Sequence, residues 1–365
     1  MKSKMSFLNA TMNSDMVMNF AVVAFVVIIG LNVMATKSWA AAQTFETTAE
    51  PLALENGVHV QKVHFPKRQI DIAGNLFTPS DYDATKKYSA IVVTHPNGGV
   101  KEQTAGLYAQ KLAEKGFIAL AYDASYQGES GGEPRFTEDP FSRIEDIRCA
   151  TDFLTNYPSV ESVGALGICA GGGYTVHAAE TEARLKAVAV VSPVDTGRAR
   201  REGISSTPPD AKTLDERRIR ILEETAQQRT IEAAGGEPRY IGYVPNSLEE
   251  IQPGMTGMFV EGYEYYRTPR GAHPRSQNLS LFSNQDKMFE YTAMDHVDWI
   301  SPRPLLLIAG SEAETLYFSQ EAHNMAKDPK ELFIIEGASH MDLYDKEEYV
   351  PEVVEKLVDF FGKNL

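Results

Sequence analysis

The chain is 365 residues long, 43% hydrophobic and 23% charged, an ordinary globular composition with ample core for one large α/β domain. Its formal net charge is −15. With no basic patch along the chain, that balance argues against nucleic acid as a partner.

The N-terminus differs from the remainder. Lys2 and Lys4 precede the apolar run "MVMNFAVVAFVVIIGLNVMA" (16–35), and the small-x-small triplets Ser38-Trp39-Ala40 and Ala40-Ala41-Ala42 follow it. This order predicts a secretory signal peptide over 1–42, with the mature chain periplasmic or secreted. The alternative is an uncleaved membrane anchor, because 16–35 is long enough to span a bilayer. Residues 43–57 read as a polar linker.

From residue 58 onward the pattern is regular. "VHVQKVHF" (58–65) and "RQIDIAGNLFTP" (68–79) alternate apolar and polar positions, as half-buried antiparallel strands do. Buried strands follow at 88–95, 117–123, 163–168 and 185–193, separated by helices at 103–116, 140–158 and 172–183. Short apolar runs alternating with amphipathic helices predict a mostly parallel sheet with helices on both faces. The alternation stops over about 197–298, a stretch too long for a simple crossover. A helical lid inserted before the penultimate strand, over the strand C-termini where open α/β sheets bind ligands, accounts for it. Strands at 304–310 and 330–337, a helix near 318–327 and a last amphipathic helix complete the domain, 58–365.

"LGICAGGGY" (166–174) lies where a strand hands over to a helix. Gly167-Ile168-Cys169-Ala170-Gly171 is the G-x-S-x-G nucleophile elbow with sulfur in place of oxygen. The helix N-terminus behind Cys169 would lower its thiol pKa, and the Ala170 N–H would face a developing oxyanion. Cys149, in "RIEDIRCATDFL", reads as a helix packing residue, and an exported chain with two cysteines also invites a disulfide reading.

The partner base is expected after the last strand, where "EGASHMDLYD" supplies His340. The acid is expected after the strand before it. "GSEAET" offers Glu314, preferred because apolar residues follow it, and then Glu312; Asp195 in "SPVDTG" is the third candidate. A carboxylate there would orient and stabilise the imidazolium. The second oxyanion donor is expected from "HPNGGVKEQ", as the N–H of Asn97 or Gly98, with His95 bracing the loop. Asp123 and Ser130 tie together the turn after the next strand. The tyrosines of the insertion are candidates for pocket walls, and Arg267 and Arg270 for meeting a substrate carboxylate.

With these residues in view, the chain resembles the α/β-hydrolase superfamily, and within it the dienelactone-hydrolase-like branch that carries cysteine at the elbow. The segments that carry the likeness are "THPNGGVKEQTAGLYAQKLAEKGFIALAYDASYQGESGG", "LGICAGGGY", "EGYEYYRTPRGAHPRS" and "GSEAETLYFS…GASHMDLYD". The resemblance covers about 58–365. It implies an α/β-hydrolase fold, a Cys169–His340–acid triad and cleavage of an ester-type acyl bond. The acid is Glu here, where many members of the superfamily place Asp.

The expected reaction is acyl transfer through a thioacyl-enzyme, on a carboxylic ester, lactone or thioester. The expected partner is a small-molecule acyl substrate. No metal and no cofactor are expected, because there is no H-E-x-x-H, no paired C-x-x-C and no P-loop, and "GICAGGG" misses the G-x-G-x-x-G spacing. The competing readings are an acyltransferase on the same scaffold and a non-catalytic exported binding protein.

Overall fold

The computed structural model describes residues 51–365, apart from Ser205, Pro253, Gly254 and Thr256. The leader expected over 1–42 and the start of the linker lie outside the described residues. Among those described, no helix is long and apolar enough to cross a membrane.

Nine strands form one sheet in the order β1-β2-β3-β5-β4-β6-β7-β10-β11. The antiparallel edge consists of β1 (Leu52–Ala53), β2 (His59–Lys67) and β3 (Ile70–Thr78). Part of the expected linker is therefore strand, with Leu52 paired to Val60. From β5 (Ile118–Tyr122) through β4 (Tyr88–Thr94), β6 (Val160–Ile168), β7 (Leu185–Val191), β10 (Leu305–Gly310) and β11 (Lys330–Ile335), neighbours run parallel. Five of these six strands read as nearly unbroken apolar runs because helices cover both faces; β11, at the edge, is only half buried. Residues of β4, β5, β6, β7 and β10 such as Ile91, Ala119, Leu166, Ala189 and Leu307 are fully buried.

The crossover helices α1 (Thr104–Ala113), α2 (Pro140–Thr155) and α3 (Ala170–Thr181) fall where the periodicity places them. Asp139 fixes the start of α2, its side chain accepting from the Phe141 and Ser142 N–H groups, with Pro140 at the first helical position.

Between β7 and β10 the chain leaves the sheet. This excursion holds α4 (Thr196–Glu202), α5 (Ala211–Ala233), a short antiparallel pair β8 (Tyr240–Ile241) and β9 (Ser280–Leu281), α6 (Gly257–Arg267) and α7 (Gln285–Glu290). Its two ends are pinned together. Asp195 caps α4 by accepting from the Arg198 N–H at 2.9 Å, and its other oxygen accepts from the Ala293 N–H at 3.0 Å. Gly197 packs so tightly on Tyr291 that a β-carbon would stand 1.7 Å from the Tyr291 carbonyl oxygen. The chain then closes with α8 (Leu316–Met325), α9 (Asp342–Asp345) and α10 (Val350–Asn364), whose apolar face, including Val353, Leu357 and Phe361, is buried.

Candidate active site

The elbow forms because its neighbours are glycine. Cys169 adopts φ +57° and ψ −124°, a strained backbone for a residue with a side chain. A β-carbon at Gly167 would stand 2.4 Å from the Gly171 carbonyl oxygen, and one at Gly171 would stand 2.5 Å from the Thr94 carbonyl oxygen. The Cys169 N–H donates to the Val191 carbonyl, and its own carbonyl accepts from the Val194 N–H, which ties the turn to β7.

Cys169 and His340 line the same cavity, of about 230 Å³, together with Asn97 and Ala170. The Ala170 N–H lies beside the thiol. The Asn97 N–H has no acceptor among the described residues. Gly98 does not line the cavity; it takes φ +64° and lies under the Tyr243 ring, which leaves no room for a β-carbon. His95 braces this loop. Its Nδ1 donates to the Pro96 carbonyl at 2.7 Å and its Nε2 accepts from the Ala124 N–H at 3.1 Å, which fixes one neutral tautomer. Burial and the nearby Arg143 guanidinium hold the His95 pKa well below the ordinary imidazole range. Asp123 is buried against Lys101, with its Oδ2 2.7 Å from the ammonium, and the Ser130 hydroxyl donates to the Asp123 carbonyl.

None of the three acids considered for the triad reaches the imidazole. Glu314 is exposed, and its two carboxylate oxygens accept from the Gly257 and Met258 N–H groups at 2.9 and 3.0 Å, holding the first turn of α6. Negative charge at a helix N-terminus is favourable, and two orphan donors are satisfied there. Glu312 is exposed. Asp195 is committed to the neck of the excursion, and it lines a different cavity with Arg198 and Arg201.

Thr315, the neighbour of Glu314, is the side chain that reaches the imidazole. Its Oγ1 lies 2.6 Å from His340 Nδ1. His340 is 1% exposed, and burial alone lowers its pKa to about 4, with no carboxylate to support the cationic form. The Cys169 thiol is also moved by burial, upward, which outweighs the Tyr344 hydroxyl and the Ala170 N–H that favour the thiolate. Burial thus opposes the lowering that the helix N-terminus, through the Ala170 N–H, exerts on the thiol. Cys149 is free, as is Cys169, and burial pushes the Cys149 thiol to about 12.

Several residues of the site escaped sequence reasoning. Tyr344 Oη lies 3.5 Å from His340 Nε2 and beside the Cys169 thiol. It lies in the four-residue α9, too short to show a periodicity of its own. Glu138 and Arg143 are buried behind the oxyanion loop. Glu138 accepts from the Tyr174 hydroxyl at 3.0 Å and the Tyr243 hydroxyl at 3.3 Å, while Arg143 donates to the His95 carbonyl. Of the tyrosines expected to shape the pocket, Tyr243 and Tyr266 do line it. Tyr265 packs edge-on against Tyr344 instead. Arg270 is paired with Asp345 at 2.6 Å and Arg267 is exposed, so neither meets the cavity. The arginines that line it are Arg200 and Arg217, from α4 and α5, and neither has a carboxylate partner among the described residues. Nor do the described residues contain a group of three or more His, Cys, Asp or Glu arranged to hold a metal ion.

The Dienelactone hydrolase family matches residues 72–217, which include the elbow. An uncharacterized Escherichia coli protein, YcjY, is 40% identical over 299 residues, covering 81% of this chain and 95% of its own length. This chain belongs to the dienelactone hydrolase family. The crystal structure of the hypothetical protein PA2218 from Pseudomonas aeruginosa superposes with a TM-score of 0.77 at 35% identity, covering 88% of this chain and 99% of that one. The polyketide transferase grgF of Penicillium sp. is 25% identical, covering 78% of this chain and 91% of its own. The thiohydrolase aneE of Aspergillus aculeatus is 26% identical over 61% of this chain and 69% of its own. The hydrolase thus has the α/β-hydrolase fold and belongs among enzymes acting on ester-type bonds.

Proposed function

We propose that the chain hydrolyses an ester-type acyl bond through a cysteine nucleophile and a thioacyl-enzyme. The observation that carries the reading is the convergence of the strained Cys169 and the buried His340 on one cavity, with the Asn97 and Ala170 amides beside them. His340 accepts the thiol proton as the sulfur attacks the carbonyl, and the two amides receive the oxyanion. The imidazolium then protonates the leaving group, and water opens the thioester. Thr315 holds the ring orientation in place of the expected carboxylate.

The excursion between β7 and β10 acts as a lid in this reading, because α4, α5 and α6 supply much of the cavity wall. Ala199, Ile204, Met258 and Phe259 make that wall apolar and suit it to an acyl chain. Arg200 and Arg217 favour a substrate carrying an anionic group, which would supply the partner they lack. The leader supports export to the periplasm or beyond, or anchorage through residues 16–35, and N-terminal mass analysis of membrane and soluble fractions distinguishes these.

The test is a panel of p-nitrophenyl esters, lactones and acyl thioesters with wild type, Cys169→Ala and Cys169→Ser. Turnover should vanish with Cys169→Ala, whereas full turnover in that variant overturns the nucleophile assignment. A second reading, transfer of the acyl group to an alcohol or amine, is favoured by the relative named as a polyketide transferase. Product analysis with acceptor present separates it from hydrolysis.

A further inference from the structure

No hydrogen bond joins the Cys169 thiol to His340 Nε2 among the described residues. His340 Nδ1 is committed to Thr315 at 2.6 Å, so Nε2 is the nitrogen left for chemistry. What stands 3.5 Å from Nε2 is the hydroxyl of Tyr344, which also lies beside the sulfur.

We propose that Tyr344 is a catalytic residue whose hydroxyl passes the proton of the Cys169 thiol to His340. The inference rests on the cysteine-nucleophile reading. As sulfur bonds to the acyl carbon, the thiol proton moves to Tyr344 Oη while the phenolic proton moves to Nε2. The carbonyl π pair becomes the oxyanion, the imidazole becomes an imidazolium, and the tyrosine ends neutral. On collapse, the imidazolium proton goes to the leaving group and the C=O bond re-forms. No oxidant or co-reactant is needed.

The position of Tyr344 is fixed from several sides. It is 1% exposed and lines the cavity. Its carbonyl accepts from the Thr104 hydroxyl at 2.9 Å, and the carbonyl before it accepts from the Tyr108 hydroxyl at 2.7 Å. The Tyr265 ring packs edge-on at 5.1 Å. Burial raises the phenol pKa well above its usual value, so the group stays protonated at rest. The neighbouring Tyr266 hydroxyl, from α6, is buried in the same wall with no aligned hydrogen-bond partner, although it lies close to Tyr344.

The test uses the full chain in a Cys149→Ser background. Iodoacetamide labelling of Cys169 is followed against pH, and turnover of p-nitrophenyl acetate is followed in mixtures of light and heavy water. Tyr344→Phe should slow labelling about tenfold at fixed pH, since it removes a hydrogen bond to a charged sulfur. It should lower kcat with little change in KM, and it should convert a curved proton inventory into a linear one. Labelling at the wild-type rate, or an unchanged inventory, overturns the relay. If Tyr344→Phe does not fold, 2,3-difluorotyrosine at 344 keeps the hydroxyl while lowering its pKa. The labelling profile should then move to lower pH, and an unmoved profile overturns the relay. The labelling measurement needs no turnover. Residual activity in Cys169→Ala would therefore count against the nucleophile, while the labelling rate still judges Tyr344.

Discussion

Two of the three loops expected to supply the triad at the C-terminal edge of the sheet behave differently. The loop after β6 carries Cys169 on a backbone that only glycines permit at positions 167 and 171. The loop after β10 was expected to bring Glu314 to the imidazole, and it brings Thr315 there instead. A role fixed by backbone sterics leaves a residue-type signature. A role fixed by which of two adjacent side chains turns inward leaves almost none, because a one-residue step reverses the direction.

The sharpest way to break this comparison is to remove each loop's proposed or expected contributor. Cys169→Ala should cost on the order of 10³-fold or more in kcat. Glu314→Gln should cost less than about threefold, because its carboxylate serves the first turn of α6 and such caps carry about 0.5–2 kcal/mol of stability. Equal large losses of turnover in both variants would return Glu314 to the triad.

Thr315→Val comes next. It keeps the shape and removes the hydroxyl, leaving His340 Nδ1 unpaired in a buried place. A loss of about tenfold to a hundredfold in kcat is expected. Thr315→Asp should instead lift the imidazole pKa by placing an anion against it. The acid limb of the pH–rate profile would then move upward.

In the wild type that limb should lie near pH 4 rather than near 6.5, since His340 titrates at about 4. The sign for stability follows from the same shift. The folded pKa lies below that of the unfolded chain, so the unfolded chain takes up protons first. The stabilisation is complete above about pH 6.5 and declines as pH falls toward 4. Chemical unfolding followed between pH 7 and 4 should show this decline, and His340→Gln should reduce it.

The smallest effect concerns the elbow's support. Gly171→Ala places a β-carbon 2.5 Å from the Thr94 carbonyl oxygen, so the strand tips must part. About 1–3 kcal/mol of stability should be lost, seen as a lower melting temperature. An unchanged value would mean the elbow is less constrained than its geometry indicates.

How much was legible follows the same division. Five of the six parallel strands were readable because each is buried on both faces, which leaves unbroken runs such as "AIVV" and "LLLIAG". Of the three crossover helices between them, α2 also carried a capping side chain, Asp139. The short strands β1, β8 and β9 were missed, since two residues carry no periodicity. At the site, the meeting of Cys169 and His340 on one cavity was legible from their places in chain order. Thr315 and Tyr344 were not, because neither a hydroxyl in a loop nor one in the four-residue α9 has a pattern of its own. Arg200 and Arg217 sat in a charged helical stretch where nothing distinguished a pocket-facing arginine from a solvated one.

The hundred-residue excursion hangs from a stem only a few residues wide, where Asp195 grips Ala293 and Gly197 meets Tyr291. Departure and return points that nearly touch make the excursion an exchangeable cassette. A different cassette on the same stem would re-tailor the pocket while the sheet beneath it, and the elbow, kept their shape.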